Sequence, residues 1–244
     1  MADDIDTILA RYPKARPPLP AAFQRVYESE YLLNRRGDSF ITRLSSSLEA
    51  WMHRRVAAAS PADVLELGAG TLNQLPYEAA QPAYDVVEPF AALYAGSTET
   101  AKVRTFYADI SQIPPGQHYG RVISVAVLEH LDDLPAIVAR SAELLDADGV
   151  FQAGIPSEGG ALWRLAWRST TGIAYWLRNR LDYGVLMRHE HLNTAAEIEA
   201  VVRHFFDDVR VSRFPTPALP LSFYSYLEAR GPRRDRAATY LARR

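Results

Sequence analysis

Val64-Leu-Glu-Leu-Gly-Ala-Gly-Thr-Leu-Asn73 decides how the chain reads. Val64 to Leu67 has the composition of a short buried strand, and Gly68-Ala69-Gly70 then supplies backbone that can turn tightly and let a ligand come close. In open parallel α/β sheets, ligands sit just beyond the carboxyl ends of the strands, and the first such turn is the usual cradle. Two kinds of nucleotide-type ligand compete for it. A dinucleotide site uses G-x-G-x-x-G, with a pyrophosphate seated on the N-terminus of the following helix. Here the third glycine position holds Asn73, and Glu66 stands two residues before Gly68, where it would repel a pyrophosphate and attract an ammonium group.

Working outward, Tyr84-Asp-Val-Val-Glu88 reads as a second strand ending in an acid, 18 residues beyond Gly70. A carboxylate there can accept from both ribose hydroxyls, whichever cofactor carries the ribose. Val103 to Tyr107 reads as a third strand, followed by Ala108-Asp109-Ile110. Taken alone, Asp109 is equally well read as the cap of a turn or helix. Arg121-Val-Ile-Ser-Val-Ala-Val-Leu-Glu-His130 gives a fourth strand, and Gly149-Val-Phe-Gln-Ala-Gly-Ile-Pro156 a fifth, after the polar turn Asp146-Ala-Asp-Gly.

These five pieces, in this order and at these spacings, resemble the motifs of the class I S-adenosylmethionine-dependent methyltransferases. The resemblance covers residues 60 to 156 well and the rest loosely. One departure is Gly120, where the family commonly opens the fourth strand with Asp. The resemblance implies S-adenosyl-L-methionine as cofactor, with Gly68, Ala69 and Gly70 along its methionine part and Glu66 facing its amino group. It implies Glu88 and Pro89 at the ribose, Asp109 accepting from the adenine amino group, Ile110 against the ring, and Ala126 and Leu128 as further contacts from the fourth motif. The fold it implies is α/β: a seven-stranded, mostly parallel sheet with strand 7 antiparallel and helices on both faces.

Composition sets the outer bounds. With 244 residues and 48% hydrophobic content, the chain can bury one large core, so a single domain is expected over 1–244. Within it, residues 1–59 read as N-terminal helices forming a lid and 60–156 as the cofactor-binding core. Residues 157–193 read as an α-helical cap inserted after strand 5, 194–229 as the last helix and strands, and 230–244 as a loosely ordered basic tail. The absence of cysteine removes disulfides, thiolate metal sites and a cysteine nucleophile. The acidic start Met-Ala-Asp-Asp lacks the features of a signal peptide, which points to the cytoplasm. A net charge of -2 argues against a general nucleic-acid binder. The charge is uneven: residues 151–244 carry +5 and residues 1–150 carry -7. That asymmetry reads either as a solvated surface or as a seat for an anionic acceptor.

Taken in order, residues 3–11 suggest a short helix and 20–34 a better one, with Phe23, Val26, Tyr27 and Tyr31 on one face. Tyr27 and Tyr31, with Asn34 and Arg35, either line the acceptor site or pack on the core. A helix is expected from about Phe40 to Ala59, with Leu44, Leu48, Met52 and Val56 along its stripe. Further helices are expected in the seventies and around 90–95. Asp133 should cap a helix that carries Pro135 in its first turn. From Ala161 to Met187 the chain holds Trp163, Trp167 and Trp176, with Arg164, Arg168 and Arg178 at roughly helical spacing. This insertion is too short and too charged to span a bilayer. It reads as a cap over the active site, with Trp163 and Arg164 offered to a small-molecule acceptor that is anionic or partly apolar; lying on a membrane interface is the other reading. His189 and His191 lie two apart in Arg188-His-Glu-His191-Leu-Asn193, which on an extended segment points both one way, but no third ligand is spaced to join them and no metal is expected. Thr194-x-x-Glu197 has the form of a capping box, and strands 6 and 7 follow near 208–214 and 222–228.

The chemistry implied is a single in-line displacement of a methyl group, in which alignment does most of the work. A hydroxyl acceptor also needs a base, and His191, His189 and His130 are the candidates. The Asn-Pro-Pro-Tyr pattern of nucleic-acid amine methylation is absent after the fourth strand, so the reading is O-methylation of a small molecule, a natural-product scaffold or a glycan. Two alternatives stand beside it: a methyltransferase fold that binds the cofactor for other chemistry or for binding only, and an NAD(P)-dependent oxidoreductase. No oligomeric state is assigned.

Overall fold

The structure, a computed structural model, describes residues 4–26, 49–57 and 61–243. Seven strands form one sheet in the order β3-β2-β1-β4-β5-β7-β6. They are β1 (Val64–Leu67), β2 (Tyr84–Val87), β3 (Thr105–Tyr107), β4 (Tyr119–Val125), β5 (Leu145–Pro156), β6 (Phe206–Pro215) and β7 (Ser222–Pro232). Strands β1 to β5 pair in parallel, and β7 lies antiparallel between β5 and β6. All four residues of β1 are buried, which places the glycine turn over the middle of the sheet.

Both faces are covered. On one lie α1 (Ile5–Leu9), α2 (Leu134–Leu144), α6 (Ala195–Phe205) and α7 (Arg234–Leu241), whose Ile8, Val138, Ile198, Phe205 and Ala237 join Val122, Phe151 and Leu227 from the sheet. On the other, the helical residues 49–56 bring Val56 and Trp51 onto Val64, Val86, Ile123 and Tyr226. There the contact is close: a Cβ on Gly154 of β5 would lie 2.7 Å from the Cβ of Met52. Helix starts follow the sequence signals. Asp133 caps α2 ahead of Pro135, and Thr194 and Glu197 form a reciprocal capping box on α6.

Several expectations are corrected. The seventies hold only the 3-10 turn Leu75–Tyr77, and 90–95 only Ala91–Leu93. Pro76, Pro82 and left-handed backbone at Gly70 and Leu72 leave no run long enough for an α-helix there. The fifth strand starts earlier than expected, at Leu145, and the polar run 146–149 interrupts its pairing: the register jumps from Leu145 opposite Tyr119 to Val150 opposite Arg121. The basic tail is ordered. Residues 230–232 extend β7, and α7 buries Ala237 completely while Tyr240 meets Phe205 edge-on at 5.7 Å. Arg230, Arg233, Arg234 and Arg236 are anchored rather than loose, as in Arg233 to Asp207 at 2.6 Å.

The insertion after β5 forms three short helices: α3 (Ala161–Trp167), α4 (Ile173–Asn179) and α5 (Tyr183–Glu190). A π-turn at Arg168–Gly172 links the first two, and Arg180, at φ 56, ends the second. His189 therefore lies inside a helix, and His191 caps its end. They do not alternate along an extended segment, because Asp182 caps the helix and carries it through to Glu190. The expected lid residues Tyr27 and Tyr31, with Asn34 and Arg35, lie outside the described residues.

Candidate active site

Beyond the carboxyl ends of β1 to β4 opens a cavity of about 1100 Å³. That exceeds what one drug-sized ligand needs and leaves space for a cofactor and an acceptor side by side. Its wall is built by the four strand-end turns, by Arg16, by Glu49, Met52 and His53 of the helix on the second face, and by His189 and Glu190 of α5.

The turn after β1 fits a ligand held by backbone. Gly68 has φ +68, and a Cβ there would come within 2.5 Å of Val127 Cγ2, so no side chain can be added without moving the fourth-strand loop. Glu88, buried at the end of β2, accepts from Gly70 N at 2.8 Å through one oxygen and from Phe90 N at 3.0 Å through the other. It thereby holds the glycine turn in shape. Glu66 is buried, lines the cavity and accepts from the Tyr84 hydroxyl at 2.8 Å. Burial pushes its carboxyl up to about 8 against the pull of that hydrogen bond, and Glu78 and Glu88 add to the rise. Asp109 caps its turn by accepting from Ser111 N at 2.8 Å, and this bond holds its carboxyl below the usual range. It lines the cavity as well, so capping and lining coexist.

Of the residues singled out for the cofactor, Glu66, Gly68, Ala69, Gly70, Glu88, Pro89, Asp109, Ile110 and Ala126 all line this one cavity. Leu128 is fully buried and not part of the wall. Ala126 adopts left-handed backbone at φ 54, a conformation that costs a non-glycine residue about 1–2 kcal/mol.

Of the three histidines, His130 and His189 line the cavity while His191 stands behind His130, outside the wall. His130 lines the cavity just past β4, and its Nδ1 donates to the Glu190 carbonyl at 2.9 Å. Its Nε2 lies 3.7 Å from Glu129. The His191 ring meets it edge-on, with centroids 4.8 Å apart. His191 Nδ1 in turn donates to Glu158 Oε2 at 2.8 Å. Burial tends to raise Glu158, but the His191 and Trp163 hydrogen bonds outweigh it and keep the carboxyl low, hence ionised. His189 also lines the cavity, with Nδ1 donating to Pro17 O at 2.7 Å. Trp163 and Arg164 are not in the wall. Trp163 donates to Glu158 at 2.7 Å and packs on Tyr224, and Arg164 is exposed.

Sequence reasoning missed Glu158, Asn193, Arg16 and Glu49. The rule that singled out Glu66 and Glu88, an acid at a strand's carboxyl end, finds Glu158 two residues past β5. Asn193 is fully buried and ties the fourth-strand loop to the N-terminal segment, a role no local pattern announces. The wall is rich in carboxylates: Glu49, Glu66, Glu88, Asp109, Asp132, Asp133 and Glu190, against Arg16. Burial raises Glu49, and Glu129 behind the wall likewise. Among the described residues no group of three or more His, Asp or Glu is placed to hold a metal, and no helix is long and apolar enough to cross a membrane.

The pyrophosphate alternative loses its seat here, since the glycine turn leads into turns and a 3-10 segment instead of an α-helix with a free N-terminus. No curated protein sequence matches the chain. Among solved structures, it is similar to the N-methyltransferase NodS from Bradyrhizobium japonicum in complex with S-adenosyl-L-homocysteine: 13% identity, TM-score 0.53, 94% of this chain and all of that one covered. It is similar to the 1,6-didemethyltoxoflavin-N1-methyltransferase of Burkholderia thailandensis: 19% identity, TM-score 0.53, 89% and 93% covered. An O-methyltransferase family protein of Burkholderia thailandensis gives 17% identity and a TM-score of 0.52, with 78% and 57% covered. At these identities the likeness is one of fold. A family model described as a methyltransferase domain matches residues 40–201, well over half of the sequence, and the chain belongs to that methyltransferase family.

Proposed function

We propose that the protein transfers the methyl group of S-adenosyl-L-methionine to a hydroxyl of a small molecule or glycan. When bound, the cofactor supplies an electrophilic methyl on a positive sulfur. The glycine turn and Glu66 would hold its amino-acid part, Glu88 its ribose, and Asp109 with Ile110 its base. The observation that carries the acceptor reading is His130 on the cavity wall with His191 against its ring, backed by the ionised Glu158.

His130 is the base in this reading. Its Nδ1–H is committed to the Glu190 carbonyl, which leaves Nε2 to accept a proton, and it stands at the end of β4 on the cavity wall. His191, oriented by Glu158, presses edge-on against that ring and keeps it from turning away. A positioned base of this kind contributes about 10²–10⁴-fold.

One observation favours a second reading. Among the described residues Glu190 Oε1 and Glu129 Oε2 are buried without a hydrogen-bond partner, and the wall is acidic, which suits a cationic amine better than an anion. Methyl transfer from labelled cofactor to matched hydroxyl and amine acceptors separates the two. For a hydroxyl acceptor, His130→Ala should lower kcat by about 10²–10⁴-fold with cofactor affinity unchanged. Full turnover in that variant would remove the base and leave the amine reading.

A further inference from the structure

The outer surface of the cap is unlike the rest of the protein. Leu165, Ile173, Trp176 and Leu177, on α3 and α4, are 62%, 53%, 50% and 58% exposed. The inner side of the same helices is well occupied: Tyr175 is buried against Leu19 and Phe23, and Trp167 meets Tyr183 at 5.8 Å. The outward apolar side chains are therefore not left over from a poorly packed core. They are a second apolar face on helices that already have one.

Charge says what that face fits. From Gly159 to Leu181 the sequence has no acidic residue and four arginines, Arg164, Arg168, Arg178 and Arg180, all exposed. Arg180 lies over the Trp176 ring at 4.6 Å, and Arg168 over Trp167 at 5.4 Å. Guanidinium groups that rim an apolar patch match a plane of hydrocarbon bordered by phosphates, with tryptophan at the level between them. A second copy of the chain meeting face to face through a two-fold axis would bring the same arginines together and repel itself. The helical run from α3 through the π-turn to α4 carries Arg164, Arg168 and Arg178, and among the described residues no helix is long and apolar enough to cross a membrane, so it can lie on a bilayer.

We propose that α3 and α4 form a peripheral membrane-binding face that seats on anionic bilayers, with Leu165, Ile173, Trp176 and Leu177 in the interface and the arginines on the headgroup phosphates.

The test uses the whole protein and two kinds of vesicle, phosphatidylcholine alone and phosphatidylcholine mixed with phosphatidylglycerol. Co-sedimentation is expected with the mixed vesicles, weakening as salt is added, and tryptophan emission should shift to the blue on binding, a shift lost in Trp176→Phe. Arg164→Gln and Arg168→Gln together should weaken binding by roughly fivefold per arginine. Ile173→Ser with Leu177→Ser should abolish it, with circular dichroism reporting that the fold is kept. The arginine variant, which alters only exposed side chains, stands in if the apolar variant does not fold. No binding to the mixed vesicles, or equal binding by wild type and the arginine variant, overturns the proposal. So does concentration-dependent dimerisation without lipid that the arginine variant alters, since the face would then belong to a second copy.

Discussion

Tyr12 and Asn193, 181 residues apart in sequence, meet through a 2.8 Å hydrogen bond in which the tyrosine hydroxyl donates to the Asn193 side-chain oxygen. The amide nitrogen of Asn193 donates in turn to the Leu128 and Leu131 carbonyls at 2.9 and 2.7 Å. One fully buried side chain thus fastens the N-terminal segment, the loop after β4 and the start of α6 into the frame that carries His130 and His191. Replacing Asn193 by Ala would take the amide donor from the buried Leu128 and half-buried Leu131 carbonyls and the acceptor from the Tyr12 hydroxyl. We expect a loss of about 2–3 kcal/mol in urea unfolding, with methyl transfer falling further than stability explains. An unchanged unfolding midpoint would mean that the frame is held elsewhere.

Gly68 should tolerate nothing larger. Gly68→Ala places a methyl 2.5 Å from Val127 Cγ2 on backbone at φ +68. The left-handed conformation alone costs about 1–2 kcal/mol. Calorimetry should show cofactor affinity reduced at least about tenfold, the equivalent of 1.4 kcal/mol. Adding Val127→Ala should restore part of the loss by relieving the contact and leaving the backbone strain. Wild-type affinity in Gly68→Ala would place the cradle somewhere else.

Glu66 gives a pH dependence with a definite sign. Its carboxyl is raised from 4.5 to about 8 in the folded protein. The folded state therefore prefers it protonated. Its contribution to stability is complete below the ordinary carboxylate range and is lost as pH rises through about 8. Cofactor binding runs the other way. An ammonium group beside Glu66 favours the ionised form, so affinity should rise as pH climbs towards about 8, by up to roughly tenfold per unit, with a proton released on binding. Titration calorimetry in two buffers of different ionisation heat reads that proton, and Glu66→Gln should abolish both effects.

Arg121 makes a stability prediction away from the cavity. Nearly buried in β4, it pairs with buried Glu78 at 2.8 Å and donates to the Gln152 side chain at 2.9 Å and to the Val56 carbonyl at 2.6 Å. Arg121→Met leaves the Glu78 charge buried without its cationic partner, held by neutral groups such as the Gln74 amide at 2.6 Å, and should cost about 3–5 kcal/mol. The double variant with Glu78→Gln should recover a substantial share, because the stranded charge goes with it. Chemical denaturation of the three proteins checks the order.

The sheet was legible because each parallel strand carries its own signal. A short apolar run ending in Gly68, Glu88, Asp109 or His130 tells where the strand stops and what stands at its end. The caps at Asp133 and Thr194 were legible for the same reason, since their partners lie within three residues. What could not be read depends on neighbours far along the chain. Glu158 gains its meaning from His191, 33 residues away, and Asn193 from Tyr12. The order of the last helix comes from Ala237 and Tyr240 finding α2 and Phe205, contacts that a count of arginines hides. The missing helix after β1 failed locally instead: Pro76, Pro82 and positive-φ backbone at Gly70 and Leu72 outvoted a weak apolar pattern.

The strand order has a further consequence. Because β1 and β4 lie side by side while β2 and β3 run off to one flank, everything assigned to the donor before Ala126 hangs from one half of the sheet. Glu158, and through the cap His189 and His191, hang from the half built on β5, β7 and β6. The two halves are joined through the β1–β4 and β4–β5 ladders, and above them Gly68 packs against Val127. On the proposed reading, what is methylated can be retailored by rewriting residues 159–188, with Glu158, Asn193 and the donor's berth kept. Grafting that segment between relatives is the corresponding route for an engineer.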